Sequence, residues 1–312
     1  MNVSNQTDGP VRRLVRSVGR AMVPVIRLGA IRRISGTERL ETQVWEYSHP
    51  LWPAASDGFS VLFVSDIHYG KLLSHDQFDR MTGAIAALDS DCVLLGGDFG
   101  EDAEDSPKCI GLLAPVLRGR RVIAVPGNHD LCGAVSRDAL EAAVRDAGWE
   151  MPVNRCVPLT GGAALAGLDD FREGTPDAEA VRLEAQDAPF VLFLCHNPDA
   201  LADIVPPFYH LALCGHTHGG QVTVFGRPVF SSSVYRGRYL TGWKRENGAD
   251  ILIGNGIGTS LLPVRLGATP QIIKIVFRRG SAGRKLAESA VYGPGGKKQI
   301  VGGDNADDCR RG

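Results

Sequence analysis

The chain has 312 residues, 44% of them hydrophobic, with 34 Lys and Arg against 35 Asp and Glu for a formal net charge of -1. This much apolar material can bury one large core, so one domain of about 200 residues or more with tails is expected. Near-neutral charge gives no global reason to expect nucleic acid as a partner. The seven cysteines lack disulfide-framework spacing and read as reduced residues of a cytoplasmic protein.

Residues 1–40 form a basic amphipathic segment. Between Val11 and Arg33 there is no acidic residue, but Arg12, Arg13, Arg16, Arg20, Arg27, Arg32 and Arg33 are present. Val11, Leu14, Val15, Val18, Met22, Val25 and Ile26 recur at steps of three and four, which gives one apolar helical face. Pro24 should break or kink that helix, and the longest uncharged run between Val11 and Arg33, Ala21 to Ile26, is far too short to span a bilayer. Such a helix suits peripheral contact with a membrane surface, through residues 11–33 on the inner face of the cell membrane. It also suits an amphipathic helix packed on the domain, or an Arg-rich transit peptide.

Beyond it, short apolar runs alternate with amphipathic stretches, and each of five runs stops at ligand-type residues. Val61 to Ser65 leads to Asp66-Ile67-His68, where strand alternation would put Asp66 and His68 on one side. A helix is predicted over 75–88. Cys92 to Leu95 leads to Gly96-Gly97-Asp98, followed by a predicted helix over 107–118. Val122 to Val125 leads to Gly127-Asn128-His129-Asp130, followed by a helix over 136–147. Phe190 to Cys195 leads to His196-Asn197-Pro198, with a helix over 198–204, and Leu211 to Cys214 leads to Gly215-His216-Thr217-His218-Gly219-Gly220-Gln221. Further strands are predicted near 221–225, 250–254 and 271–278. From Arg279 onward the chain is rich in Gly, Lys, Arg and Asp with little periodicity, so 279–312 is expected to be a disordered tail.

Each donor taken alone has a structural explanation. Asp66 and His68 could form a strand-end turn, Asp98 a turn or cap, His196 a hydrogen-bonded loop histidine, and Asp130 a helix cap. Five successive strands ending in oxygen and nitrogen donors favour a ligand site, because ligands gather outside the carboxyl ends of strands in sheets with helical connections. The mixed carboxylate, imidazole and amide set suits manganese, iron or zinc, not a thiolate site.

The order Asp66-x-His68, Gly97-Asp98, Gly127-Asn128-His129-Asp130, His196 and Gly215-His216-x-His218 resembles the signature of the calcineurin-like metallophosphoesterases, over about residues 58 to 278. The longer Gly-His-Thr-His-Gly-Gly-Gln, Leu168-Asp169-Asp170, Gly256-Ile257-Gly258-Thr259-Ser260 and Pro263-Val264-Arg265 resemble one branch of it, which holds bacterial membrane-associated phosphodiesterases and UDP-2,3-diacylglucosamine diphosphatases. The resemblance implies an α/β fold of two face-to-face sheets flanked by helices, a four-layer αββα sandwich. It implies two divalent ions, one on Asp66, His68, Asp98 and His218, the other on Asp98, Asn128, His196 and His216, with Asp98 bridging. A water shared by the ions would be the nucleophile. His129 would be general acid or orient the substrate, and Asp130 would either hold its imidazole or cap a helix.

A signature of metal ligands says little about substrate. Loops 70–76, 99–107, 169–178 and 226–247 are candidates for contact, and Phe225, Phe230, Tyr235, Tyr239 and Trp243 with Arg227, Arg236 and Arg238 could clasp an acyl chain beside a phosphate or form a structural flap. A hydrolase of a phosphodiester or pyrophosphate is expected, with a lipid-linked substrate such as UDP-2,3-diacylglucosamine preferred. The alternatives are an esterase of soluble nucleotide, nucleic-acid or phosphoprotein targets, and a non-catalytic scaffold.

Overall fold

The computed structural model describes residues 17–18, 37–132, 137–293 and 298–302. Most of the basic N-terminal segment, including its expected membrane contact, therefore lies outside the described residues. In chain order the strands are β1 (Leu40–His49), β2 (Ser60–Val64), β3 (Cys92–Leu95), β4 (Arg121–Ala124), β5 (Arg155–Thr160), β6 (Ala163–Gly167), β7 (Val191–Leu194), β8 (Leu211–Cys214), β9 (Thr223–Val224), β10 (Arg227–Pro228), β11 (Gly242–Glu246), β12 (Ala249–Ile253), β13 (Gln271–Arg279), β14 (Gly283–Tyr292) and β15 (Lys298–Gly302). The α-helices are α1 (His75–Ala87), α2 (Ser106–Leu113), α3 (Asn128–Leu131), α4 (Arg137–Asp146) and α5 (Ala178–Ala185).

The strands form a seven-stranded sheet in the order β15-β14-β1-β13-β2-β3-β4, a six-stranded sheet in the order β11-β12-β8-β7-β6-β5, and the small hairpin β9–β10. The central strands are continuous apolar runs because both of their faces are covered. Along β2, Val61 and Phe63 enter the core between the two large sheets, while Leu62 and Val64 pack against Phe78, Met81 and Ile85 of α1 and Ile110 of α2. Along β7, Leu192 and Leu194 face the same inter-sheet core, while Val191 and Phe193 join Val181 and Ala185 of α5 on the other side. Period-two alternation of buried residues thus builds helix, sheet, sheet and helix layers, the expected architecture.

Local chemistry sets the helix ends. At α1, Ser74 Oγ accepts the Gln77 amide at 3.3 Å and Gln77 Oε1 accepts the Ser74 amide at 3.0 Å, a reciprocal capping box. The helix expected over 198–204 is a 3-10 turn, Pro198–Asp203, and the strand expected over 221–225 is reduced to the two residues of β9.

Two expectations are corrected. The stretch after Arg279 contains the ten-residue strand β14, which pairs antiparallel with β1 from Leu40↔Tyr292 to Ser48↔Gly283, and β15 pairs with it in turn. Composition suggested disorder because the stretch from Arg279 onward is rich in Gly, Lys, Arg and Asp, whereas backbone pairing to β1 and partners such as Arg284 Nη1 to Asp250 Oδ1 at 3.0 Å hold β14. The sheet therefore extends beyond 58–278 on both sides. Asp66 and His68 do share a site, but not by strand alternation, since both have left-handed backbone at φ 54° and 49° beyond the end of β2.

Candidate metal centre

Five strand ends meet at one rim: β2, β3 and β4 from the first sheet and β7 and β8 from the second. Past the strands the loops keep pairing. Asp66 N donates to Gly97 O at 2.9 Å, His68 N to Asp98 O at 3.1 Å, and Gly215 N to His196 O at 2.9 Å. The Gly256-Ile257-Gly258 segment closes the other flank, with Ile257 N on Ser65 O at 3.1 Å and Gly258 N on Asp66 O at 2.7 Å.

This rim is conformationally costly. Asp66, His68, Asp98, His216 and His218 all have φ between 49° and 69°, a region that residues other than Gly seldom occupy, although Asn, Asp and His enter it more often than most. Such outliers persist where surrounding contacts over-determine them, and they cluster at functional sites. Glycine is required where the carboxylates approach backbone: a Cβ on Gly127 would collide with Asp98, and one on Gly215 with Asp66.

The rim brings ligand-type atoms together deep in the protein. Asp66, His68, Asp98, His196, His216 and His218 are all buried. Asp98 Oδ2 lies 3.5 Å from His68 Nε2 and 3.2 Å from His196 Nε2, midway between two groups of donors. On one side His68 Nε2 faces His218 Nε2 at 3.0 Å, with Asp66 Oδ1 3.5 Å from the latter. On the other, His196 Nε2 faces His216 Nδ1 at 3.2 Å. Asp66, His68 and His218, and separately Asp98, His196 and His216, each place one ligand atom within 4.8 Å of the others.

The electrostatics fit cations. Burial, then the neighbouring His129, pushes His68 down to about 3, and burial followed by His196 or Arg265 pushes His216 and His218 well below the usual imidazole range. Three imidazoles are therefore neutral and present lone pairs. Burial also opposes charge on His196, yet Asp98, Asp66 and Asp170 hold it well above the usual range, so these carboxylates call for positive charge at this spot. Asn128 Oδ1 is buried without a hydrogen-bond partner, a costly state that a cation relieves. On these observations the donor set fits divalent metal ions.

Around the donors, other groups set their orientation. His196 Nδ1 donates to Gly96 O at 2.7 Å, which leaves Nε2 facing Asp98. His129 Nδ1 donates to Glu101 O at 2.7 Å, and its ring stands edge-on to His68 with centroids 4.7 Å apart. Asp130 does not hold His129, contrary to one of the two readings of it. Its Oδ2 accepts from Asp98 N at 2.7 Å and Gly127 N at 2.8 Å, and its Oδ1 from Phe99 N at 2.8 Å and Ser106 Oγ at 2.7 Å. All of its lone-pair directions are committed to bracing the β3 and β4 loops, which is the capping role.

Arg265 is the residue whose place the motif could not convey. It is buried, and its Nη1 donates to the carbonyls of His218 and Asn255 at 2.8 Å each, its Nε to Gly258 O at 2.9 Å, and its Nη2 to Gly258 O and to His218 Nδ1 at 2.9 Å. One guanidinium thus ties both the ring and the backbone of His218 to the Gly256 segment. The Pro263-Val264-Arg265 triplet was the only signal for it. Of the proposed acyl clasp, Tyr239 and Trp243 are structural: Tyr239 is buried with its hydroxyl on Glu246 Oε2 at 2.7 Å, and Trp243 stacks on Tyr47 with centroids 5.8 Å apart.

Residues 59–220 match the family model of calcineurin-like phosphoesterases. The chain is 27% identical over 242 residues to the metallophosphoesterase YkuE of Bacillus subtilis, covering 75% of this chain and 84% of that one. It is 29% identical over 218 residues to YpbG of the same organism, covering 68% and 78%. It is 27% identical over 225 residues to the phosphodiesterase YaeI of Escherichia coli, covering 69% and 80%.

Proposed function

We propose, because this chain belongs to the calcineurin-like phosphoesterase family, that it hydrolyses a phosphodiester or pyrophosphate bond at a centre of two divalent cations. The single observation that carries the two-ion reading is the position of Asp98 Oδ2, within 3.5 Å of His68 Nε2 and 3.2 Å of His196 Nε2, since one carboxylate can serve two cations. Asp66, His68, Asp98 and His218 would hold one ion, and Asp98, Asn128, His196 and His216 the other. Manganese, iron and zinc all suit this oxygen and nitrogen set. Bound there, the pair would lower the pKa of a water for in-line attack and screen charge growing on the phosphoryl oxygens.

The chain's own residues supply the remainder. Asp98 and Asp66 order the loops as well as offering oxygens: Asp98 Oδ1 accepts His129 N at 2.8 Å and Asp66 Oδ1 accepts His216 N at 2.9 Å. His129, with Nδ1–H committed to Glu101 O, would act as general acid from its doubly protonated form, giving its Nε2 proton to the leaving oxygen and becoming a neutral ring still oriented by that bond.

A lipid-linked phosphate such as UDP-2,3-diacylglucosamine is the preferred substrate, supported by the branch motifs and by the basic N-terminal segment, which we assign to peripheral membrane contact. A phosphoesterase of soluble nucleotide, nucleic-acid or phosphoprotein substrates is the alternative, and the name of the phosphodiesterase YaeI relative fits either reading. The test is metal content and hydrolysis of bis(p-nitrophenyl) phosphate, p-nitrophenyl phosphate and UDP-2,3-diacylglucosamine with added manganese. Asp98→Ala and His216→Ala are expected to lose both metal and turnover, whereas His129→Ala keeps its metal and slows poor leaving groups by about 100-fold. Full activity in metal-stripped protein would sink the two-ion reading, and activity on the aryl diester alone would favour the soluble alternative.

A further inference from the structure

Immediately after His218 the chain makes an excursion whose two ends are tied to the metal-site loop. Gln221 Nε2 donates to Ser260 O at 2.8 Å and Leu262 O at 2.9 Å, and at the far end Ser232 Oγ donates to His216 O at 3.0 Å. Between these anchors β9 and β10 pair as Thr223↔Pro228 and Val224↔Arg227, so Phe225 and Gly226 form a two-residue turn. Both have positive φ, 50° and 73°.

Phe225 is in the wrong place for folding alone. Two-residue turns with left-handed backbone at both positions favour Asn-Gly, and a bulky residue at the first is disfavoured. The ring is also 100% exposed, so this chain's own core gains nothing from it. Val224, Val229, Phe230 and Val234 on the same excursion are at least half exposed, as is Leu266, which bridges to Val222. Exposed apolar side chains gathered on one short excursion mark an interaction site.

Charge identifies the partner. From Gly219 to Arg245 the chain contains Arg227, Arg236, Arg238, Lys244 and Arg245 and no Asp or Glu. Arg238 and Arg245 have acidic partners, Glu246 and Asp250, whereas Arg227 stands exposed in the hairpin itself, paired in register with Val224. Apolar side chains at a tip with arginine beside them match the boundary between acyl chains and anionic headgroups.

We propose that the β9–β10 hairpin, led by Phe225, inserts into the surface of an anionic lipid bilayer and sets the metal-bearing rim at the headgroup level. This deepens the lipid-facing reading given above and names an element distinct from the N-terminal segment. The test uses the full chain and vesicles of phosphatidylglycerol and phosphatidylcholine, with partitioning read by flotation. Phe225→Asn is the informative variant, because asparagine suits the left-handed turn and removes only the ring. Its melting temperature should match or exceed that of the parent, while its partitioning into anionic vesicles falls about tenfold. Arg227→Gln should weaken partitioning into anionic vesicles and make it less sensitive to salt. Equal partitioning of Phe225→Asn and the parent, or absence of vesicle binding by both, overturns the proposal. So does a change of oligomeric state in Phe225→Asn without a change in lipid binding, which would make this face a contact between copies. Hydrolysis of bis(p-nitrophenyl) phosphate, measured separately, reports on the metal centre, so failure of docking and failure of the catalytic reading are distinguishable.

Discussion

Asp130 shows how one side chain can support a centre without touching the reaction. Burial and the nearby Asp98 push its carboxyl up to about 6, while four hydrogen bonds to Asp98 N, Phe99 N, Gly127 N and Ser106 Oγ favour the charged form. In Asp130→Asn an amide would turn its own donors toward two of those groups, and leaving them unsatisfied costs about 3 kcal/mol. The expected outcome is a melting temperature lower by roughly 10 °C, read by thermal unfolding. A normal melting temperature with turnover reduced as in His129→Ala would instead restore a role in orienting the imidazole. Arg265 makes a related point about His218, whose ring and carbonyl it holds together.

The short strands β7 and β8 carry ligand-type residues at one end and an aromatic cluster at the other. Four residues span about 13 Å, so the two ends are chemically separate. At the far end His210 Nδ1 accepts the Val191 amide at 3.0 Å, stacks on Phe190 with centroids 5.0 Å apart, and meets His49 of β1 across the sheets at 5.1 Å. Burial, and then the charge of His49, lowers His210 to about 4. A histidine neutral in the fold and basic when unfolded contributes stability that is complete above the unfolded value of 6.5 and is lost as pH falls toward 4. His210→Asn should therefore flatten the decline of melting temperature between pH 6.5 and 4, and an unchanged slope would exclude His210 as its source.

At the scale of the molecule, the seven-stranded sheet is completed by segments far apart in the chain. β1 lies between β14 and β13, so the edge of the sheet depends on the stretch after Arg279. Ending the chain at Arg279 would strip β14 and β15 and leave β1 as an exposed edge that templates association. With each lost hydrogen bond worth about 0.5–1.5 kcal/mol, the melting temperature should fall by roughly 10 °C, with aggregation visible by light scattering. A truncated protein as stable as the full chain would make β14 dispensable. No helix among the described residues is long and apolar enough to cross a membrane.

The family, the helix and sheet layers and the row of strand-end donors were legible in the residues themselves. Each is a local pattern: an apolar run that can be buried on both faces, followed at once by Asp66, Asp98, Asn128, His196 or His216. Three features depended on distant partners and so on the tertiary structure. Asp130 binds amides of residues 98 and 99, Arg265 reaches back to His218, and β14 finds its place only because the backbone of β1 offers unpaired groups. The left-handed backbone at Asp66 and His68 belongs with them, since only the packed loops of Gly97, Asp98 and Gly258 could stabilise it. Donor chemistry resides in single residues, whereas orientation and strain come from contacts between segments, which short-range sequence patterns do not encode.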